Sequence, residues 1–141
     1  MSAPSIEIEL VPLCRLTAWL GVRHVVGEGP AGTRVVVSVD RAVAEGERLR
    51  AETVGVAADW LIVGAGGVGT VDVRMTLRTH DGALVYLRYE GRSARLGQAP
   101  NHVAPLFETG DERYAWLNQV LGVGKGVVAG DTVTYDIYEV R

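Results

Sequence analysis

Asp72 and Arg74 stand two residues apart in Val71-Asp72-Val73-Arg74-Met75-Thr76-Leu77-Arg78, a run that alternates apolar and polar side chains. Residues two apart on a strand share a face, so an acid and a guanidinium lie side by side, with Thr76 and Arg78 continuing the row. A carboxylate held by Arg can act as a general base or orient a substrate. Ala58-Asp59-Trp60 offers a second acid, at the start of a strand-like run and beside a large aromatic. Alternation leaves two readings of the Asp72 face open: a solvent face over a Val71 to Leu77 core, or the wall of a ligand cavity. For Asp59 the alternatives are a turn cap followed by core packing, or an acid aimed at a substrate.

Other chemistries are less well supported. Gly64-Ala65-Gly66-Gly67-Val68-Gly69 matches the dinucleotide fingerprint, follows Leu61-Ile62-Val63, and has Glu90 about twenty positions on. That mechanism needs a helix to start inside the glycines so that its amides hold a pyrophosphate. Residues 71–78 alternate with period two, and as a helix they would have no coherent apolar face. The glycines therefore read as a loop. His24, His80 and His102 lack metal-site spacing, and no metal is expected. Gly91-Arg92-Ser93-Ala94-Arg95 lacks the second glycine of a nucleophile elbow. Cys14 is the single cysteine, which excludes an intramolecular disulfide.

The elements that must position Asp59, Asp72 and Arg74 are strands. Val85, Leu87 and Tyr89 alternate with Tyr86, Arg88 and Glu90, and Asp81-Gly82 between this run and 71–78 is a hairpin turn. Ile6, Ile8 and Leu10 alternate with Ser5, Glu7 and Glu9, and further strands are expected at about 13–22, 33–39, 48–56, 59–63 and 132–140. Gly27 to Gly32, Gly64 to Gly69 and Gly122 to Gly130 read as turns or loops. Gly91 to Pro105 lacks alternation and reads as a lid or binding loop. Asp111 to Leu121 fits a helix capped by Asp111, or a strand from about Ala115 to Val123. Eight or nine strands with at most one helix predict an all-β sandwich or barrel. Closure into a single β-barrel domain over 1–141 is favoured because it removes exposed edges and leaves an interior for a ligand.

Composition narrows the function class. The chain has 141 residues, 48% hydrophobic and 22% charged, which suits one folded domain. A net charge of −3, with no basic cluster, argues against nucleic acid as a partner. No apolar run reaches the ~18 residues of a membrane helix, and Met1-Ser2-Ala3-Pro4 carries no basic start to a signal peptide. A cytoplasmic protein without a membrane partner is expected.

Taken together and in order, several motifs resemble the domain of unknown function 3237 family from about Val35 to Val140. They are Glu45-Gly46 with Leu49-Arg50, Ala58-Asp59-Trp60, Asp72-Val73-Arg74 with Thr76-Leu77-Arg78-Thr79, and Asp81-Gly82-Ala83-Leu84-Val85-Tyr86. Phe107-Glu108-Thr109, Tyr114-Ala115-Trp116-Leu117-Asn118 and Asp136-Ile137-Tyr138-Glu139-Val140 complete the set. The resemblance implies a closed or nearly closed antiparallel β-barrel of about eight strands, a homo-oligomer, and strand rather than helix over 115–123. Some relatives close oxygen heterocycles in natural-product pathways by adding a hydroxyl to an activated alkene, without a cofactor. The chain departs from the family at Val37 to Ala42 and at Val56-Ala57, turn regions that could shape a barrel mouth.

The expected function is thus a cofactor-independent cyclase or isomerase for a small hydrophobic polyketide-like or terpenoid molecule. Asp72 or Asp59 would be the base, and Arg74 and Tyr86 the donors. Trp60, Tyr86, Glu108, Tyr114, Trp116 and Asn118 would bind the substrate. The alternative is a barrel that carries a small hydrophobic ligand unchanged.

Overall fold

In this computed structural model, which describes residues 3–141, the alternating runs become eight antiparallel strands. They are β1 Leu10–Gly29, β2 Gly32–Glu45, β3 Arg50–Val63, β4 Gly69–Thr79, β5 Leu84–Ser93, β6 Asn101–Glu108, β7 Gly122–Ala129 and β8 Thr132–Val140. Each strand pairs with the next and β8 returns to β1, from Leu10 opposite Val140 to Trp19 opposite Thr132, so the barrel is closed. Asp81-Gly82 makes the β4–β5 turn, with Gly82 at φ 92°. The glycine-rich 64–69 segment holds one 3-10 turn, Ala65–Gly67, and β4 follows it directly. No helix begins there to hold a pyrophosphate.

Six sequence expectations are corrected. The alternating run over 5–10 is not a strand, since β1 starts only at Leu10 and Ile6 and Ile8 are exposed. Positions 37–42 and 56–57, expected in turns, lie within β2 and β3. Residues 48–56 and 59–63 belong to one strand, β3, whose pairing with β4 shifts register between Val54 and Ala58. The expected loop over 91–105 is loop only from 94 to 100, because β6 starts at Asn101. Of the segment Gly122 to Gly130, all but Gly130 is strand β7 rather than turn, and its inward positions Gly122, Gly124 and Gly126 are filled by neighbouring residues. The strand expected over 115–123 is mostly a 3-10 helix, Glu112–Gln119, whose start is capped by the Asp111 side chain accepting from the Arg113 N–H. Periodicity does not decide this segment, and the helix, which buries Tyr114 and Leu117, overturns the strand that the resemblance implied and agrees with the Asp111-capped alternative.

The barrel is filled at one end and open at the other. Leu16, Leu49, Met75, Leu77, Leu87 and Leu117 are at most 1% exposed and pack the filled end. The 3-10 helix seals it: Tyr114 Oη donates to Asp81 Oδ1 at 2.8 Å, and Arg113 Nη1 donates to the Asp81 carbonyl at 2.9 Å. Thr79 Oγ1 donates to the same carboxylate oxygen at 2.6 Å. These bonds, that of Thr79 first, hold the Asp81 carboxyl down to about 2. At the other end the long β1–β2 hairpin rises past β8, the 94–100 loop folds inward through Leu96, and the strands surround a cavity.

Candidate functional site

Side chains of the inward phase line that cavity. Its volume is about 320 Å³, at the lower end of the range for small-molecule sites. Aliphatic residues form most of the wall, among them Ala18, Val37, Leu61, Val71, Val128 and Val133. Valine suits this position because its β-branched side chain packs on a pleated strand without filling the interior.

Into this apolar wall the strands insert four inner polar residues: Asp59 from β3, Tyr89 from β5, Asn101 at the start of β6, and Tyr135 from β8. Asp59 lies opposite Val37 and Val73, both inward, and this fixes its side chain toward the interior. Its Oδ1 accepts the Asp72 backbone N–H at 3.0 Å. Burial raises the Asp59 carboxyl to about 6, against the lowering effect of that hydrogen bond, and the Asp72 charge adds a further push upward. The Tyr89 and Tyr135 rings are 5.2 Å apart and tilted by 60°. Burial raises both phenols, Tyr135 to about 12, so both hold their protons at neutral pH.

Asn101 Nδ2 donates to Tyr135 Oη at 3.0 Å, which leaves the Tyr135 proton free to be donated elsewhere. Asn101 is 3% exposed and its Oδ1 has no partner among the described residues. Its amide orientation follows from this hydrogen bond. An acid poised near neutrality, two protonated phenols and an unpaired carbonyl therefore share one apolar chamber. Such a set can remove a proton from one atom of a ligand and donate one to another.

Of the acids and cations singled out from sequence, only Asp59 lines this chamber. Asp72 and Arg74 occupy the outward phase of β4, with Arg74 Nη2 3.6 Å from Asp72 Oδ2. Arg74 reaches over the outer Trp60 ring at 5.7 Å, and the Trp60 carbonyl accepts from Arg34 Nη1 at 2.7 Å. Asp72 is linked to the site through its backbone N–H, which donates to Asp59 Oδ1. Tyr86 and Glu108 are paired on the outer face and border a shallow groove with Asn118. Both ends of the Asn118 amide bond the Thr109 backbone, at 2.8 and 3.0 Å. Trp116 lies 4.8 Å from the Arg48 guanidinium, and Tyr114 belongs to the sealed end.

Tyr89, Asn101 and Tyr135 were not singled out from sequence. Their signal was present as polar groups on an apolar phase: Tyr89 ends the set Val85, Leu87, Tyr89, and Tyr135 sits between Val133 and Ile137. Asn101 fell in the segment taken for loop.

Comparison with known proteins supports the sequence resemblance. A family model described as a protein of unknown function, DUF3237, matches residues 8–140. A UPF0311 protein of Rhodopseudomonas palustris strain CGA009 is 26% identical over 97% of this chain and 98% of its own. Among solved structures, a β-barrel-like protein from Acinetobacter baumannii AYE superposes with a TM-score of 0.89 at 29% identity, covering 99% of this chain and all of its own. An enzyme from Penicillium herquei superposes at 0.81 with 20% identity over the whole of both chains, a likeness that carries the fold alone.

Proposed function

This chain belongs to the DUF3237 family, and from that premise we propose that it is a cofactor-independent small-molecule enzyme whose reaction takes place in the Asp59 cavity. The observation that carries the proposal is the Asp59 carboxyl, buried on the inward face of a valine-lined chamber and raised to about 6 beside protonated phenols. A structural acid gains nothing from such a position, whereas a general base with a pKa near the working pH does.

The reaction class this supports is cyclisation by intramolecular hydroxyl addition, or isomerisation. Asp59 takes the proton of a substrate hydroxyl and its oxygen bonds to the far carbon of an alkene conjugated with a carbonyl. The alkene electrons move to the carbonyl oxygen, which accepts a hydrogen bond from Tyr135 or Tyr89, and Asp59 then delivers the hydroxyl proton to the carbon next to the carbonyl, which restores the base and releases the ring. Substrate and product are isomers, so no oxidant or reductant is needed. The narrow apolar chamber adds rate by holding the two reacting ends together.

The test uses a panel of small hydroxy-enones, followed by loss of conjugated absorbance at unchanged mass. Wild type should accelerate closure over buffer, and Asp59→Asn should lose about 100-fold or more of that rate. Equal rates in the two folded proteins, or no acceleration by wild type across the panel, sink the proposal. The extent of aliphatic wall favours a second reading, a carrier barrel, which requires any bound ligand to be recovered unchanged.

A further inference from the structure

Along β1, Leu16, Ala18 and Leu20 face inward, opposite Ala44, Ala42 and Val39 of β2. Regular alternation would continue this phase through Val22. Instead the pairing shifts between Leu20 and Arg23, so Arg23 lies opposite the inward Val37 and Val25 opposite Val35. An extra residue in β1 has exchanged the two faces. Val22 is left in solvent, 61% exposed, while Arg23 is turned over the cavity that it lines. Gly21 permits this, because the Asp40 carboxylate of the matching irregularity in β2 occupies the space that a Cβ there would need. An aliphatic residue turned outward and a cation turned inward break the local pattern in the way functional positions do.

We propose that Arg23 makes the cavity mouth an anion subsite, and that the ligand is a small, largely apolar monocarboxylate seated with its carboxylate on Arg23 and its body inside. The inference rests on the cavity being the substrate site. Among the described lining residues Arg23 is the one cation, which suits a monoanion rather than a phosphate dianion. Its ion pair with Asp131 is long, 3.9 Å, and both side chains are more than half exposed, so it yields readily to a ligand carboxylate that can accept two parallel hydrogen bonds. Deeper in, Asp59 repels a carboxylate and the unpaired Asn101 Oδ1 accepts a donor, so the ligand enters with a hydroxyl leading and the acid trailing. The volume equals that of about ten water molecules, enough for a one- or two-ring body.

The experiment is calorimetric titration of the intact protein at low salt with 4-hydroxycinnamate and with its neutral amide. Wild type should bind the acid about ten-fold or more tightly than the amide. Arg23→Met should reduce that preference to within about two-fold, and Arg23→Lys should restore part of it. Thermal unfolding of both variants checks that the barrel is intact. Equal binding of acid and amide, an undiminished preference in Arg23→Met, or no binding of either probe at millimolar concentration overturns the subsite. The acid/base reading fails separately: Arg23-dependent binding with no turnover of hydroxy-enones keeps the subsite and removes the catalysis.

Discussion

The Asp59 carboxyl is pulled in two directions, since burial favours its neutral form and the Asp72 N–H favours its charge, and burial prevails. A carboxyl raised from 3.8 to about 6 makes its ionisation a cost to the folded state, on the order of 3 kcal/mol at neutral pH. With the folded value above the unfolded one, the stabilising contribution is complete below about pH 4 and is lost as pH rises through about 6. Asp59→Asn keeps an acceptor for the Asp72 N–H and removes the titration. Urea unfolding should therefore show the variant gaining on wild type between pH 4 and pH 8, by a margin that grows with pH; a margin independent of pH would disprove this account. The same group predicts that kcat/KM of wild type rises with pH through about 6. An acidic limb centred near 4 would assign the base elsewhere.

At the scale of elements, β7 shows what pattern reading can and cannot see. β4, β5 and β8 were legible because their inward residues are aliphatic or aromatic and their outward ones polar, and the Asp81-Gly82 turn fixed one hairpin. β7 was not, because Gly122, Gly124 and Gly126 leave its inward phase without side chains, and the Tyr135 ring folds over Gly126 from the partner strand. β6 was missed because its inward phase is Asn101, Val103, Pro105 and Phe107 while Leu106 faces out. The β6–β7 ladder stops at Val103 and pairing on that side resumes only as a single bridge from Leu106 to Leu121, so Pro105 falls in the break. The site inherits these gaps. Asp59 was legible as an acid beginning an aliphatic run; Asn101 lay in an unread strand, and Arg23 reaches the cavity through a register shift that period-two reading cannot register. A Cβ on Gly126 would collide with the Tyr135 ring. Gly126→Ala should therefore displace that ring, destabilise the barrel by about 1–3 kcal/mol and weaken 4-hydroxycinnamate binding. Unfolding and titration measure both effects, and loss of neither would mean that the ring has room to move.

Across the whole molecule, closure lets the two ends of one barrel differ in packing. The filled end, sealed by the 3-10 helix and the Tyr114 to Asp81 hydrogen bond, resembles a packed protein interior, whereas the open end keeps a chamber within the same eight strands. Enlarging a side chain should then have opposite consequences from removing one, depending on the end. Leu77 is inaccessible at the filled end, and Leu77→Ala should cost about 2–5 kcal/mol because tightly packed neighbours cannot collapse onto the void. Ala18 lies on the chamber wall, so a larger side chain there extends toward the chamber. Ala18→Leu should leave stability unchanged or raise it by about 1 kcal/mol, while reducing the affinity for 4-hydroxycinnamate by at least about ten-fold. If Ala18→Leu instead destabilises the barrel as much as an overpacked core substitution does, the chamber is too small to admit a ligand. The polar groups along its wall would then have a structural role alone.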